Sequence, residues 1–150
     1  MFHFVNPDVE VAARLIVAAF LGGLIGLERE SHGKDAGFRT YSLVALGSAL
    51  IMVVSYQIFF IYKIGDPSRI AAQAVSGIGF IGAGAIIRSP LGGTEGVRGL
   101  TTAAGIWTAC GIGLACGMGL YYPAVIATVL TLIILLFFSR VKKFIGGKDH

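Results

Sequence analysis

Long apolar runs alternate with short polar segments along this sequence. Residues 9–27, 41–62 and 67–87 form three such runs, and residues 100–138 form a fourth that is too long for one membrane span. A helix needs about 20 predominantly apolar residues to cross the hydrocarbon core of a bilayer. Because the longest run divides at residues 117–123, it predicts two helices, over 100–117 and 122–138. The pattern therefore predicts five transmembrane helices, with none of the alternation that a barrel would need.

Composition favours a single membrane domain over residues 1–150. Apolar residues make up 55% of the chain and charged residues 13%, against about 25% charged residues in ordinary soluble domains. So few charges could not cover the surface of a soluble fold of this size. The net charge of +4 does not indicate nucleic-acid binding, because the basic residues lie at the ends of the apolar runs. We expect an all-α integral membrane protein surrounded by the lipid bilayer.

The positions of Lys and Arg predict which side of the membrane each segment faces. With the N-terminus outside, nine basic residues lie in cytoplasmic segments and two, Lys63 and Arg69, in external segments. The cytoplasmic residues are Arg29, Lys34, Arg39, Arg88, Arg98, Arg140, Lys142, Lys143 and Lys148. The positive-inside rule therefore predicts an N-out, C-in topology, which also places Tyr41 in the inner aromatic belt.

Small residues on three predicted helices indicate where helices approach closely. The packing candidates are Gly22 and Gly26 on the first helix, Gly77, Gly79 and Gly82 on the third, and Gly105 and Gly113 on the fourth. We expect the third and fourth helices to form the packed centre, within one chain or across a homodimer. Residues 77–82 also match G-x-G-x-x-G, but the strand and helix start that a dinucleotide site requires are absent, so we expect no cofactor.

Polar residues follow one face of the third predicted helix. Arg69, Gln73, Ser76 and Arg88 recur at helical spacing. A glutamine within hydrocarbon is costly unless it is paired. The stripe therefore indicates either an interhelical hydrogen bond that fixes packing or a polar path through the bundle. Candidate partners on the fourth helix are Thr101, Thr102 and Thr108, although threonine also bonds its own helix backbone.

Charged residues converge at the predicted cytoplasmic face. Glu28 and Arg29 end the first helix, Arg39 precedes the second, Arg88 ends the third and Arg98 precedes the fourth. In the simplest interpretation, these charges anchor the topology and neutralise one another, with no further role. Alternatively, they could form a gate or a docking surface for a partner protein, because arginine forks suit partner carboxylates.

The remaining acids have simple structural roles. Glu10 and Arg14 stand one helical turn apart in the favourable order, so we expect an ion pair. Asp66 precedes Pro67 and is most simply a helix N-cap, with an external cation as the weaker alternative. The sequence shows no His/Cys cluster for a metal site and no catalytic triad, so we expect no enzymatic activity.

Over residues 21–121 the sequence resembles the MgtC/SapB family of bacterial inner-membrane proteins. The resemblance depends on four segments, GGLIGLERE (22–30), AGFRTYSLVALGSAL (36–50), DPSRIAAQAVSGIGFIGAGAII (66–87) and VRGLTTAAGIWTACGIGLACGMGLYY (97–122). It implies a multi-pass plasma-membrane protein linked to growth at low Mg²⁺ and, in some pathogens, to virulence. It also implies that members can bind the membrane sector of the F-type ATP synthase, while an older interpretation makes them magnesium transporters.

Two departures from the family pattern affect what the resemblance implies. Virulence-type members carry a soluble domain after the fifth helix, so we expect this chain to be either a short form or a truncated one. Those members also have asparagine where this chain has Thr101, at a position implicated in partner contact. We expect a non-enzymatic membrane regulator linked to magnesium homeostasis, with a membrane protein partner and a homodimeric state. The alternative is a transporter or channel for Mg²⁺ or another small solute.

Overall fold

The computed structural model describes residues 7–91 and 94–145. Five helices follow one another, with a β-hairpin between the third and the fourth. The helices are α1 (Pro7–Ser31), α2 (Phe38–Tyr62), α3 (Pro67–Gly84), α4 (Leu100–Gly117) and α5 (Tyr121–Ile145). Lys148, predicted to lie in a cytoplasmic segment, is outside the described residues.

Three of the described helices are long and apolar enough to cross a membrane: Asp8–Ser31, Phe38–Tyr62 and Leu100–Gly117. The stretch Tyr121–Phe137 is a shorter apolar helix. Large apolar side chains such as Ile133, Ile134 and Phe137 are exposed on α5. Ala124, Thr128 and Leu135 form the buried face of α5. Such exposed apolar faces are what a lipid surrounding requires.

The centre of the bundle consists of α1, α2 and α4. Gly22 and Gly26 of α1 lie against the start of α2, and Gly113 and Gly117 of α4 lie against its middle. The expectation that α3 and α4 form the packed centre is wrong within one chain, because α2 is the helix that packs against the small-residue face of α4. Of the residues of α3, only Ile78 and Gly82 are buried.

The hairpin departs from the expected all-helical path. The third helix, predicted over 67–87, ends at Gly84, and strands β1 (Ile87–Leu91) and β2 (Thr94–Arg98) pair antiparallel. Pro90 cannot continue a helix, and strand pairing satisfies backbone groups that would otherwise lack partners. Gly99, at a positive φ of 92°, then turns the chain into α4 against the backbone of Ala85, where a side chain would collide.

Candidate functional site

The charged end of α1 is buried in the bundle. Glu28 is 9% exposed and Arg29 is 5% exposed. Arg29 Nη1 lies 3.6 Å from Glu28 Oε2, and His32 Nδ1 lies 3.1 Å from Glu28 Oε1. Among the residues that the structure describes, none forms a hydrogen bond with Glu28 Oε2 or Arg29 Nε. Since removing charges from water is costly, these two side chains depend on the surrounding helices for their placement.

Tyr41 holds the starts of α2 and α4 beside this buried pair. Its side chain is fully buried, and its hydroxyl donates a hydrogen bond to the backbone oxygen of Thr102 at 3.3 Å. Glu28 and Arg29 are close enough to act electrostatically on the phenol. A side chain at Gly105 would collide with the Tyr41 hydroxyl. Tyr41 therefore lies inside the bundle, and its expected place in an aromatic belt is wrong.

Two exposed arginines lie at the same end of the bundle as the buried pair. Arg39 begins α2, and Arg98 ends β2 just before α4. Neither has an ion-pair partner among the side chains that the structure describes. Arg88 lies in β1 opposite Val97. Glu30, by contrast, is used locally, because its Oε2 accepts a hydrogen bond of 2.9 Å from the Phe38 amide. This end of the molecule therefore combines exposed arginines with the buried Glu28–Arg29 pair.

The α3 stripe borders an open groove between α2 and α3. Arg69, Gln73 and Ser76 are all exposed within the single chain. One cavity of about 400 Å³ lies near Asp66 and Arg69, and another of about 600 Å³ runs along Gly77. Gln73 lines both cavities. The structure therefore places the glutamine amide in the groove, at the boundary between a polar mouth and an apolar interior.

The predicted polar partners on α4 do not meet this stripe. No hydrogen bond joins Gln73 to Thr101 or Thr102 in the described part of the chain. Thr101 is exposed, and the Thr102 backbone is the acceptor for Tyr41. Thr108 bonds its own helix, at 2.9 Å from the oxygen of Ala104.

Asp66 caps α3, as its position before Pro67 predicts. Its carboxylate accepts a hydrogen bond of 2.8 Å from the Ser68 amide. Hydrogen bonds from the Ser68 side chain and backbone lower the pKa of Asp66; desolvation opposes this shift, and the charge of Arg69 adds a smaller lowering. Among the residues that the structure describes, no group of three His, Cys, Asp or Glu could hold a metal ion. The capping role accounts for Asp66 without a bound cation.

The opposite end of the bundle contains a contact that sequence reasoning missed. The predicted ion pair between Glu10 and Arg14 is present. Arg14 Nη1 also donates a hydrogen bond of 2.8 Å to the backbone oxygen of Gly117, the last residue of α4. An arginine within an apolar helix is a signal that such a contact exists, but the sequence does not reveal which helix end it reaches.

The candidate packing glycines fall into two groups. A Cβ at Gly22 would lie 2.6 Å from the backbone oxygen of Tyr41, and one at Gly26 would lie 2.6 Å from the Phe38 Cα. Gly105 and Gly113 are equally tight, because a Cβ at either would collide with α2. The α3 glycines differ: Gly82 has ordinary contacts at 3.7 Å. Nothing lies within 4 Å of a Cβ at Gly77 or Gly79.

These features define a helical membrane protein with a buried charged pair at one end and an open groove beside α3. The chain belongs to the MgtC family, whose profile matches residues 15–144. This comparison confirms the family resemblance drawn from the sequence motifs.

Three relatives show how far the similarity extends. "Putative magnesium transporter YhiD" of Escherichia coli (strain K12) is 45% identical over 146 residues, which cover 94% of this chain and 66% of YhiD. "Protein MgtC" of Brucella abortus (strain 2308) is 45% identical over 126 residues, covering 83% of this chain and 49% of that protein. "Protein SrpB" of Synechococcus elongatus is 41% identical over 142 residues, covering 87% and 75%. The chain thus spans between half and three quarters of these relatives, and no solved structure matches it significantly.

Proposed function

We propose that this chain is a non-enzymatic, multi-pass protein of the bacterial inner membrane that supports magnesium homeostasis by binding and regulating a membrane protein partner. The magnesium link is supported by the names of two relatives, YhiD with its reference to magnesium transport and MgtC. The regulatory role is carried by one observation, the exposed Arg39 and Arg98 at the same end of the bundle as the buried Glu28–Arg29 pair.

Arg39 and Arg98 are suited to recognition because the backbone that carries them is held in place. Arg39 and Arg98 lie where α2 and α4 begin, and the hydrogen bond from Tyr41 to Thr102 joins these two helix starts. Arginines fixed by a rigid scaffold lose less conformational entropy when they bind a carboxylate than mobile ones do. The partner's contact surface is therefore a cluster of acidic side chains near the cytoplasmic membrane boundary, which Arg39 and Arg98 would bind.

The proposed topology has five spans with the N-terminus outside. Contacts between the helices support alternating directions, since α1 runs antiparallel to α2 while α2 and α4 run parallel. This arrangement puts Arg29, Arg39 and Arg98 at one end and the ends near Asp66 and Gly117 at the other. An excess of basic residues at one end is typical of the cytoplasmic side.

A transporter for Mg²⁺ is the second candidate, and the groove along α3 favours it. The two cavities share Ile70 and Gln73, so they form a continuous depression from Asp66 towards Ile81. Two features weigh against a cation path. Arg69 lines its mouth, where its positive charge repels Mg²⁺, and the inner part is lined mainly by apolar residues that cannot replace the ion's water ligands.

Replacing both exposed arginines tests the regulatory proposal. The double variant Arg39→Gln/Arg98→Gln should lower recovery of the crosslinked partner from native membranes by about tenfold, because two charge-assisted contacts are lost. Quantitative mass spectrometry measures recovery, and complementation of growth at low Mg²⁺ measures function. Lys34→Gln is the matched control, since it removes an exposed cation from the same end.

Equal partner recovery from the double variant and the wild type would contradict the proposal, and so would an equal loss with Lys34→Gln. The transporter alternative predicts a different result. Mg²⁺ flux into proteoliposomes that disappears in Gln73→Leu would favour transport over regulation.

A further inference from the structure

One exposed face of α3, which also borders the groove towards α2, has an unoccupied packing seam. Its members alternate in steps of three and four residues: Ile70, Gln73, Gly77, Phe80 and Gly84. This is the spacing with which one helix packs along a neighbour running at a shallow angle. Phe80 is 85% exposed, and nothing lies within 4 Å of a Cβ added at Gly77 or Gly84. The seam is thus open along its length in the single chain.

Whatever packs on the seam must offer hydrogen bonds to the side-chain amide of Gln73. No hydrogen bond to its side chain is present in the part of the chain that the structure describes. If α3 lies in the bilayer, as the five-span topology has it, lipid offers this amide neither a donor nor an acceptor. Leaving such a group unpaired in an apolar surrounding is costly. The occupant of the seam must therefore supply both a donor and an acceptor near the level of Gln73.

We propose that a second copy of this chain packs on this seam, with the two α3 helices parallel about a two-fold axis along the membrane normal. The axis brings the two Gln73 side chains together. Each amide has donors and an acceptor, so the pair can form reciprocal hydrogen bonds. The seam is also self-complementary in shape, because Phe80 is a projecting side chain and Gly77 and Gly84 leave openings for it.

Charges at the start of α3 favour a second copy over an unrelated apolar helix. Asp66 and Arg69 are both exposed and three residues apart, with no direct ion pair between them among the described contacts. A two-fold axis beside the seam places Asp66 of one chain near Arg69 of the other, and the reverse. Opposite charges then meet twice at the outer end of the interface. This surface is separate from the arginine end, so the proposal does not depend on the regulatory function.

Isoleucine substitution of Gly77 tests the seam, with the same substitution at another open glycine as the control. In Gly77→Ile no atom of another element lies within 4 Å of the new Cβ, yet the side chain would prevent close approach of two α3 helices. Gly111→Ile on α4 is the matched control, because Gly111 is also exposed, helical and without neighbours within 4 Å. Single-molecule photobleaching of the full chain in liposomes should show the dimer association constant reduced by about tenfold or more in Gly77→Ile and unchanged in the control.

Two further measurements identify the occupant. After addition of a thiol oxidant to native membranes, Phe80→Cys should form a disulfide-linked dimer of this chain, whereas Phe20→Cys on α1, 63% exposed, should not. Gln73→Leu should reduce dimer association by about threefold to tenfold through loss of the amide pair. A monomeric wild-type chain, unchanged association in Gly77→Ile, or capture by Phe80→Cys of a different protein in place of a second copy would overturn the proposal. Partner recovery through Arg39 and Arg98 would be unaffected by that outcome.

Discussion

At the scale of single residues, the close contacts of this bundle depend on where side chains are missing. Gly113 faces the backbone of Ala45, and Gly117 faces that of Ala49, so α2 and α4 approach through their main chains. Gly111, two residues before Gly113, faces open space. Gly113 and Gly117 thus allow close packing and Gly111 does not, and the neighbours of each glycine in space determine this difference.

We predict that Gly113→Ala destabilises the protein by about 1–3 kcal/mol, because its methyl group collides with the Ala45 carbonyl and forces α2 and α4 apart. Thermal unfolding in detergent measures the effect. Gly111→Ala is the control and should be neutral or stabilising by about 0.5–1 kcal/mol, since alanine is the better helix former. Similar destabilisation by both substitutions would show that the contact between Gly113 and Ala45 is not the cause.

At the scale of elements, α4 is fixed at both of its ends. Gly99 permits the turn that starts it, and the carbonyl of Thr102 accepts a hydrogen bond from Tyr41. At its last turn, Arg14 of α1 donates to the Gly117 carbonyl. A cation at a helix C-terminus also interacts favourably with the helix dipole. The placement of α4 against α1 and α2 therefore depends on polar contacts at its ends as well as on packing between them.

We predict that Arg14→Met destabilises the fold by about 2 kcal/mol, because the part-buried Gly117 carbonyl loses a charged donor. Glu10→Gln should cost less, since Glu10 is partly exposed and Arg14 keeps its contact with α4. Thermal unfolding of both variants in the same detergent gives the comparison. A larger effect from Glu10→Gln would assign the main contribution to the ion pair within α1.

At the scale of the whole molecule, the polar features separate towards the two ends of an apolar bundle. The buried Glu28–Arg29 pair, Arg39 and Arg98 lie at one end, and Arg14, Lys63 and Asp66 lie at the other. The apolar side chains of α1, α2 and α5 are exposed between these ends. This distribution suits a chain whose two ends face water and whose middle faces lipid.

We predict that a cysteine at position 34 (Lys34→Cys) is protected from a membrane-impermeant thiol reagent added to intact cells, and that Lys63→Cys reacts. Both side chains are exposed in loops at opposite ends of α2, and both native cysteines are buried. Lysis should make position 34 reactive, which controls for its intrinsic accessibility. Labelling of position 34 from outside, with protection of position 63, would reverse the proposed orientation.

The features that could be predicted from the sequence are mostly local. Glu10 and Arg14 pair across one turn, and Asp66 caps the helix that Pro67 begins. In both cases the partners are a few residues apart, so helix geometry alone brings them together. The burial of Tyr41 and the contact between Arg14 and Gly117 join residues far apart in sequence, where no local periodicity specifies the partner.

The amino-acid sequence determined the helical class of this protein and the approximate position of each helix, because apolar length and helix-start signals act within a single segment. The tertiary structure decided which helices are neighbours. Small residues on α1, α3 and α4 are similar in composition, but only those of α1 and α4 meet α2 closely. Close packing depends on the simultaneous fit of several surfaces, and a linear pattern cannot express that fit.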